Sequence, residues 1–283
     1  MPSTALPPLR SLLFLPATST ALLAKATDRG ADALIVDLED SVQGDRKAEA
    51  RAMAAAAVND LHARGATVLV RVNAIEPDTA ADVQALPLAK VAALILPKVE
   101  CLADVERIDA LLKAGHPGGR PIAALIESPR AILACTDIAS HPSLCALVFG
   151  PEDYAAALGT ASNLAAMAWP ANMMVTAAHA FGLQAWGVPG GLAEIHDETA
   201  FGASVHAARA MGFTGTVCIH PKQVPIINRG FSPSQAERDW AQKVVDADAA
   251  AAQEGLGAVM LEGKMIDRPV VERARRVLTM RGA

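Results

Sequence analysis

Short apolar runs of strand length recur along most of this chain, at residues 11–16, 33–38, 67–72, 93–96, 122–126, 145–149, 183–188 and 216–219. They are continuous rather than alternating, the pattern of strands covered on both faces, and strands of that kind belong to parallel sheets. Between them, residues 20–29, 45–64, 104–113, 129–138, 164–181 and 194–211 read as helices. Several of these are closed by a glycine such as Gly30, Gly65, Gly115, Gly182 or Gly212, which supplies a left-handed final residue. Eight βα units at a mean spacing of roughly 30 residues predict an α/β fold of the (β/α)8 TIM barrel type, whose usual size is about 250 residues. A doubly wound open sheet is the alternative. No Gly-rich dinucleotide fingerprint follows the first run, where Leu15-Pro16-Ala17-Thr18-Ser19 stands, and this favours the barrel. Two further helical stretches, 234–254 and 264–281, follow the eighth run, so residues 1–230 are expected to form the barrel and 231–283 a helical extension.

Composition narrows the function classes. A net charge of -5 without a basic excess argues against a nucleic-acid partner. Arg268, Arg273, Arg275, Arg276 and Arg281 crowd the terminal helix and read as a solvated face near a C-terminus. No apolar stretch reaches the roughly 20 residues that span a bilayer, and the first nine residues lack the pattern of a signal peptide, so no membrane partner and a cytoplasmic location are expected. Cys101, Cys135, Cys145 and Cys218 are widely spaced, form no CxxC pair and read as buried free thiols.

In a barrel the active site lies at the C-terminal ends of the strands, so polar residues just after the apolar runs carry weight. Here they are Asp37, Glu39 and Asp40 after the second run, Arg71 and Asn73 at the third, Lys98 and Glu100 after the fourth, Glu127 after the fifth, Glu152 and Asp153 after the sixth, and His220 after the eighth. Glu127 and Asp153 follow adjacent strands and offer hard oxygen ligands, which suit Mg2+ better than zinc, since the histidines show no ligand spacing. The alternatives are a rim ion pair for Glu127 and a helix N-cap for Asp153. Arg71 is placed to clamp a carboxylate and a developing oxyanion, or else to form a structural ion pair with Asp37, Glu39 or Asp40. That acidic cluster is expected chiefly to hold Arg71, Lys98 or metal waters. A Schiff-base role for Lys98 is a minor reading, because its acidic neighbours keep it protonated.

The motifs Arg10-Ser11-Leu12-Leu13-Phe14-Leu15-Pro16-Ala17, Asp37-Leu38-Glu39-Asp40, Arg71-Val72-Asn73, Leu96-Pro97-Lys98, Glu127-Ser128, Phe149-Gly150-Pro151-Glu152-Asp153, Ile219-His220-Pro221 and Gly263-Lys264-Met265-Ile266-Asp267-Arg268-Pro269 stand in an order and spacing that span nearly the whole chain. In these the chain resembles the citrate lyase beta-subunit-like branch of the HpcH/HpaI aldolase family, acyl-CoA carbon-carbon lyases. The resemblance implies a (β/α)8 barrel, commonly trimeric, that binds Mg2+ and acts on a CoA thioester and a 2-oxo acid. It implies Glu127 and Asp153 as metal ligands, Arg71 as the substrate-binding arginine, and Arg10 and Lys25 as contacts to CoA phosphates. It further implies that Asp267 reaches the site of a neighbouring subunit from the C-terminal segment, where it is the candidate for proton transfer at the acyl carbon. Asp37 is the remaining catalytic candidate, with Glu39, Asp40 and Lys98 expected beside Arg71 at the substrate.

The seventh run, Gln184-Ala185-Trp186-Gly187-Val188-Pro189-Gly190-Gly191, departs from the pattern of those relatives, so Trp186 and the paired glycines bear on acyl specificity unless Trp186 simply packs the barrel. Four roles are weighed: a freestanding lyase on malyl-CoA, citramalyl-CoA or citryl-CoA, a citrate lyase subunit acting on an acyl-carrier-protein thioester, an aldolase on free 2-oxo acids, and a non-catalytic CoA-binding or scaffold barrel.

Overall fold

The computed structural model describes residues 6–74, 78–116, 118–192, 195–253 and 255–282. Eight strands, β1 (Ser11–Pro16), β2 (Ala33–Asp37), β3 (Val68–Arg71), β4 (Ala93–Leu96), β5 (Ile122–Ile126), β6 (Leu144–Phe149), β7 (Gln184–Trp186) and β8 (Thr216–Cys218), form one parallel sheet in the order β7-β6-β5-β4-β3-β2-β1-β8. A bridge between Trp186 and Gly215 brings β7 to β8, and the Gly187 N–H donates to the Gly215 carbonyl at 2.9 Å. The sheet is thereby a nearly closed α/β barrel. Helices alternate with the strands: α1 (Thr20–Ala24), α2 (Lys47–Ala63), α3 (Asp78–Ala85), α4 (Leu102–Gly115), α5 (Pro129–Ala139), α6 (Pro151–Leu158), α7 (Leu164–Ala180), α8 (Glu198–Met211) and α9 (Gln223–Phe231).

Burial explains the continuous apolar runs. Every residue of β2, β4, β5 and β6 is buried, as strands with helices on one face and a packed barrel interior on the other require. Leu12, Ile35, Leu69, Ile95, Ala123, Leu125, Ala146, Val148, Trp186 and Val217 fill that interior as one cluster. Trp186 is fully buried there, and its indole N–H donates to Gln184 Oε1 at 3.1 Å, which is the packing role rather than a specificity role.

Side chains alternate along a strand, so each residue two steps beyond this layer points the same way. From Phe14, Ile35, Leu69, Leu125, Val148 and Val217 the steps lead to Pro16, Asp37, Arg71, Glu127, Gly150 and Ile219, all of which line one cavity. The period of two thus brings Asp37, Arg71 and Glu127 to one level at the C-terminal mouth.

Some local expectations change. Residues 20–29 split into α1 and a 3-10 turn over Ala26–Arg29. The helix expected from residue 194 begins at Glu198, where the Asp197 side chain accepts the Ala200 N–H at 2.8 Å; residue 194 itself lies outside the described residues, as does residue 254. Helix α3 was not anticipated. Residues 264–281 are not one helix: β9 (Val259–Leu261) pairs antiparallel with β10 (Lys264–Ile266) before α11 (Arg268–Thr279) begins. Glu262 and Gly263 are both left-handed, with φ of 48° and 78°, which makes a two-residue hairpin turn. Asp267 then caps α11, and Pro269 occupies its first turn.

The chain divides into two compact units, one ending at Asn228 and the other beginning at Arg229. The second contains α10 (Gln235–Gln253), the hairpin and α11, and its own core is Ala241, Val244, Ile266, Val271 and Ala274. Cys135, Cys145 and Cys218 are buried and Cys101 half-buried, all as free thiols. Burial pushes the Cys135 thiol up to about 11 and that of Cys145 to about 12, values of inert thiols. Among the described residues no helix is long and apolar enough to cross a membrane.

Gly215 sits where the barrel closes: a Cβ there would overlap the Leu9 carbonyl oxygen and stand 2.6 Å from that of Arg10. Gly215→Ala is expected to destabilise the barrel by about 2 kcal/mol or more, read as a lower denaturant midpoint at constant slope; an unchanged midpoint would show that the junction yields freely.

Candidate active site

The cavity at the barrel mouth has a volume of about 420 Å³ and includes Phe14, Asp37, Asp40, Arg71, Glu127, Glu152 and Asp153 in its wall. Its organising element is Arg71. Asp37 and Arg71 end neighbouring strands and are register partners, so their side chains leave the sheet side by side. Arg71 Nε donates to Asp37 Oδ1 at 2.7 Å and its second terminal nitrogen to Oδ2 at 2.8 Å, a bidentate pair. The other terminal nitrogen stands 2.8 Å from Glu39 Oε2 and 3.4 Å from Asp40 Oδ2. The guanidinium also lies 4.8 Å over the Phe14 ring centre.

Burial works to raise the Asp37 carboxyl, yet the bonds and charge of Arg71 and the N–H groups of Ser41 and Glu39 outweigh it and hold Asp37 below the usual carboxylate range. Burial raises Glu39; Arg71 and Lys98 oppose this, Asp40 adds to it, and the group stays above its ordinary value. The structural ion pair expected of Arg71 is thus present, and the arginine held by it lines the cavity.

Glu127 is 7% exposed. Its Oε1 accepts the backbone N–H of Lys98 at 2.7 Å. Lys98 makes this contact from a left-handed backbone, φ 54°, an uncommon state for a residue with a side chain and one that gathers at functional sites. Its ammonium turns elsewhere, to Glu39 Oε1 at 3.1 Å. That partner raises the Lys98 pKa, which keeps the amine charged and opposes its use as a nucleophile.

Gly150 gives Glu127 its room: a Cβ there would lie 2.6 Å from the Glu127 Cβ. Asp153 is exposed in the first turn of α6, whose N-cap is Gly150, so the capping alternative for Asp153 does not hold. Burial pushes Glu127 up to about 7; the Lys98 N–H and Arg71 moderate this, and the charges of Asp153 and Glu39 add to it. At the mouth Asp37, Glu39, Asp40, Glu127, Glu152 and Asp153 face Arg71 and Lys98, an acidic excess made of hard oxygens. Such a set fits a divalent cation of the magnesium kind, which takes one or two protein carboxylates and keeps its other positions for water and substrate.

Two expected residues of the first unit are not gathered here. Arg10 directly precedes β1, at the opposite end of the barrel. Its guanidinium binds Asp32 through Nε at 2.9 Å and a terminal nitrogen at 3.0 Å, so it braces the barrel floor instead of facing a CoA phosphate. Lys25 is exposed at the junction of α1 and its 3-10 turn. Asp267 belongs to the second unit, where its carboxylate accepts the Val270 N–H at 3.3 Å. The sequence reading missed Gly150 and the Lys98 amide; the Pro97-Lys98 step after an apolar run was the available sign of the latter.

With this geometry in hand, comparison with known proteins is direct. The family model for HpcH/HpaI aldolase/citrate lyase matches residues 10–221, and the chain belongs to that family. A citrate lyase subunit beta-like protein of Deinococcus radiodurans is 34% identical over 278 residues, covering 96% of each chain. A (3S)-malyl-CoA thioesterase of Cereibacter sphaeroides is 34% identical over 274 residues, covering 96% of this chain and 94% of its own. Among solved structures, the protein CitE from Mycobacterium tuberculosis in complex with magnesium, acetoacetate and coenzyme A is 31% identical, with a TM-score of 0.74 and coverage of 95% of this chain and 96% of that one.

Removing the Asp37 charge tests the organising pair. A carboxyl held low when folded contributes stability above its unfolded value, near pH 4, and loses it as the pH falls through the folded value. Asp37→Asn is expected to cost about 3 kcal/mol at neutral pH and to flatten the acid limb of a stability-against-pH curve; an unaltered acid limb would dismiss the pair as a stabilising element.

Proposed function

We propose that this chain is a Mg2+-dependent carbon-carbon lyase that cleaves, or forms, a 3-hydroxyacyl-CoA such as malyl-CoA, citramalyl-CoA or citryl-CoA, giving an acyl-CoA and a 2-oxo acid. One observation carries the reading: Glu127, a buried carboxylate without a cation bonded to it among the described residues, and Asp153 line the same cavity as a guanidinium held by Asp37. The family member from Mycobacterium tuberculosis, seen with magnesium, acetoacetate and coenzyme A, supports the same substrate class.

Glu127 and Asp153 are the residues that hold the metal in this reading. When bound, Mg2+ supplies the charge that orients a 2-oxo acid and eases loss of a proton from the substrate hydroxyl. Arg71 presents its charge to the substrate carboxylate or to the oxygen that becomes the ketone, and Asp37 and Glu39 spare it the reorganisation that a mobile arginine needs. Asp37 is thus a positioning residue. Asp40, exposed, and Lys98, kept charged by Glu39, flank the entering substrate. The hydroxyl loses its proton, the carbon-carbon bond breaks, and the thioester enolate takes a proton at carbon, so the sum is proton-neutral. The hydroxyl's proton leaves to water, and Asp267, supplied by the second unit of a neighbouring copy in a trimer, is proposed to pass a proton from water to that carbon, or to remove it in the reverse direction; Lys25 is the proposed contact to a CoA phosphate.

The test is a coupled assay of the purified protein with Mg2+ against the three thioesters, following 2-oxo acid and acyl-CoA, with EDTA and Glu127→Ala controls. Metal-dependent release of both products is expected from one thioester. Free CoA in place of acyl-CoA would instead match the thioesterase relative, and turnover confined to an acyl-carrier-protein thioester would match a citrate lyase subunit. Asp267→Asn is expected to lower turnover while leaving Mg2+ affinity nearly unchanged; an unaltered rate removes Asp267 from the mechanism.

Metal binding carries its own pH signature. Glu127, with its value near 7 in the metal-free site, must give up its proton to bind, so Mg2+ affinity is expected to fall by about tenfold per pH unit below that value. Calorimetry at pH 6 and pH 8 measures this, with proton release only at the lower pH. Gly150→Ala, which alters no ligand, is expected to weaken Mg2+ binding by crowding Glu127, and full affinity in that variant would relieve Gly150 of the role.

A further inference from the structure

Behind the acidic loop lies a polar network that the reaction does not touch. Lys47, the first residue of α2, donates from Nζ to the Leu38 carbonyl at 2.7 Å, to the Glu39 carbonyl at 2.7 Å and to Asn73 Oδ1 at 2.5 Å. All three ammonium protons are thereby used. The first two partners are consecutive peptide groups of the loop that carries Asp37, Glu39 and Asp40, and the third is two residues beyond Arg71. One side chain therefore ties the two chain segments whose side chains form the bidentate pair.

The far end of this tie is itself anchored. Asn73 is 6% exposed; its N–H and its amide nitrogen both reach Asp82 Oδ2, at 2.7 and 2.8 Å. Asp82, fully buried on α3, accepts Arg51 Nε through its other oxygen at 2.7 Å, and Arg51 also binds Asp78. Lys47 and Arg51 lie four residues apart, on one face of α2. The network runs from α2 through the end of β3 to α3 and returns, with charge matched along it. A partly buried path this well satisfied is stiff, and a lone hydrophobic contact would not set the direction of two carbonyls.

We propose that Lys47, acting through Asn73 and the Leu38 and Glu39 carbonyls, is a positioning residue that sets the angle at which Arg71 meets the cavity. Without its ammonium, the Leu38 carbonyl and the Asn73 amide oxygen lose this donor, the Glu39 carbonyl is left with the Val42 N–H at 3.1 Å, and the Asp37–Asp40 loop loses the cation behind it. The loop then drifts relative to β3. A displacement of about 1 Å at a substrate clamp is enough to cost roughly a hundredfold in rate.

The test uses full-length protein and two readouts, of which only the rate rests on the lyase reading. The Arg71 Nε–H, bonded to Asp37 at 2.7 Å, is followed by nitrogen-15 NMR and assigned by its loss in Arg71→Lys. Lys47→Met is expected to speed its solvent exchange by about tenfold or more. In the assay, Lys47→Met is expected to lower kcat by roughly 10- to 100-fold with KM little changed. Lys47→Met combined with Arg71→Lys should be no slower than Arg71→Lys alone, because the two act through one group. An unchanged Nε–H exchange rate, or rate losses that multiply, would overturn the proposal. Lys47→Gln, which is neutral but keeps an N–H donor, is the milder variant if Lys47→Met fails to fold, and it is held to the same two criteria. A wild type that turns over no thioester would sink the lyase reading alone, and the exchange measurement would still decide the role of Lys47.

Discussion

The mouth of this barrel depends on a single cross-strand ion pair. Asp37 and Arg71 end adjacent strands in register, at the last inward-facing position before the loops begin. Burial makes each charge expensive alone, and their mutual neutralisation is what allows both to stand at the top of an apolar interior. Glu39 and Asp40 join from the same loop, and Lys98 joins through Glu39. Moving any strand by one residue would turn this constellation outward, because the strand period is two. The apolar layer beneath, from Leu12 and Ile35 to Val148 and Val217, is therefore also what aims these polar residues.

The charges around that pair do not balance. Arg71 is claimed by Asp37 and Glu39, while Glu127 receives only a peptide N–H and lies near further acidic groups. A protein that needed only stability would neutralise such a carboxylate or replace it. Its place at a cavity wall beside Asp153 supports the proposed cation site, since pKa values perturbed in this manner cluster at functional sites.

Much of this was legible in the sequence, and the limits of legibility have physical causes. The eight apolar runs announced a parallel sheet because strands buried on both faces have no polar side to show. Asp37, Arg71 and Glu127 were visible as polar residues ending such runs, and in-register pairing made the first two neighbours. Arg10 was named only through the family resemblance, as a CoA-phosphate contact, and it precedes its strand rather than ending it, which sends it to the opposite end of the barrel. The hairpin before α11 was hidden because three-residue strands are too short to set a period. Lys47 and Asp82 were invisible for another reason: both meet Asn73, beyond the end of β3, and no local pattern records a contact between elements so far apart in the chain.

Lys98 divides its duties between two parts of itself. The peptide N–H holds Glu127, and the ammonium, at the end of a flexible stem, holds Glu39. The first duty belongs to the backbone and is open to any residue that tolerates φ near 54°, glycine most readily; the second depends on charge alone. The two can therefore diverge independently as such a barrel changes its substrate. A lineage could exchange the side chain at this position to remodel the cavity rim while the amide grip on Glu127 passed unaltered from one protein to the next.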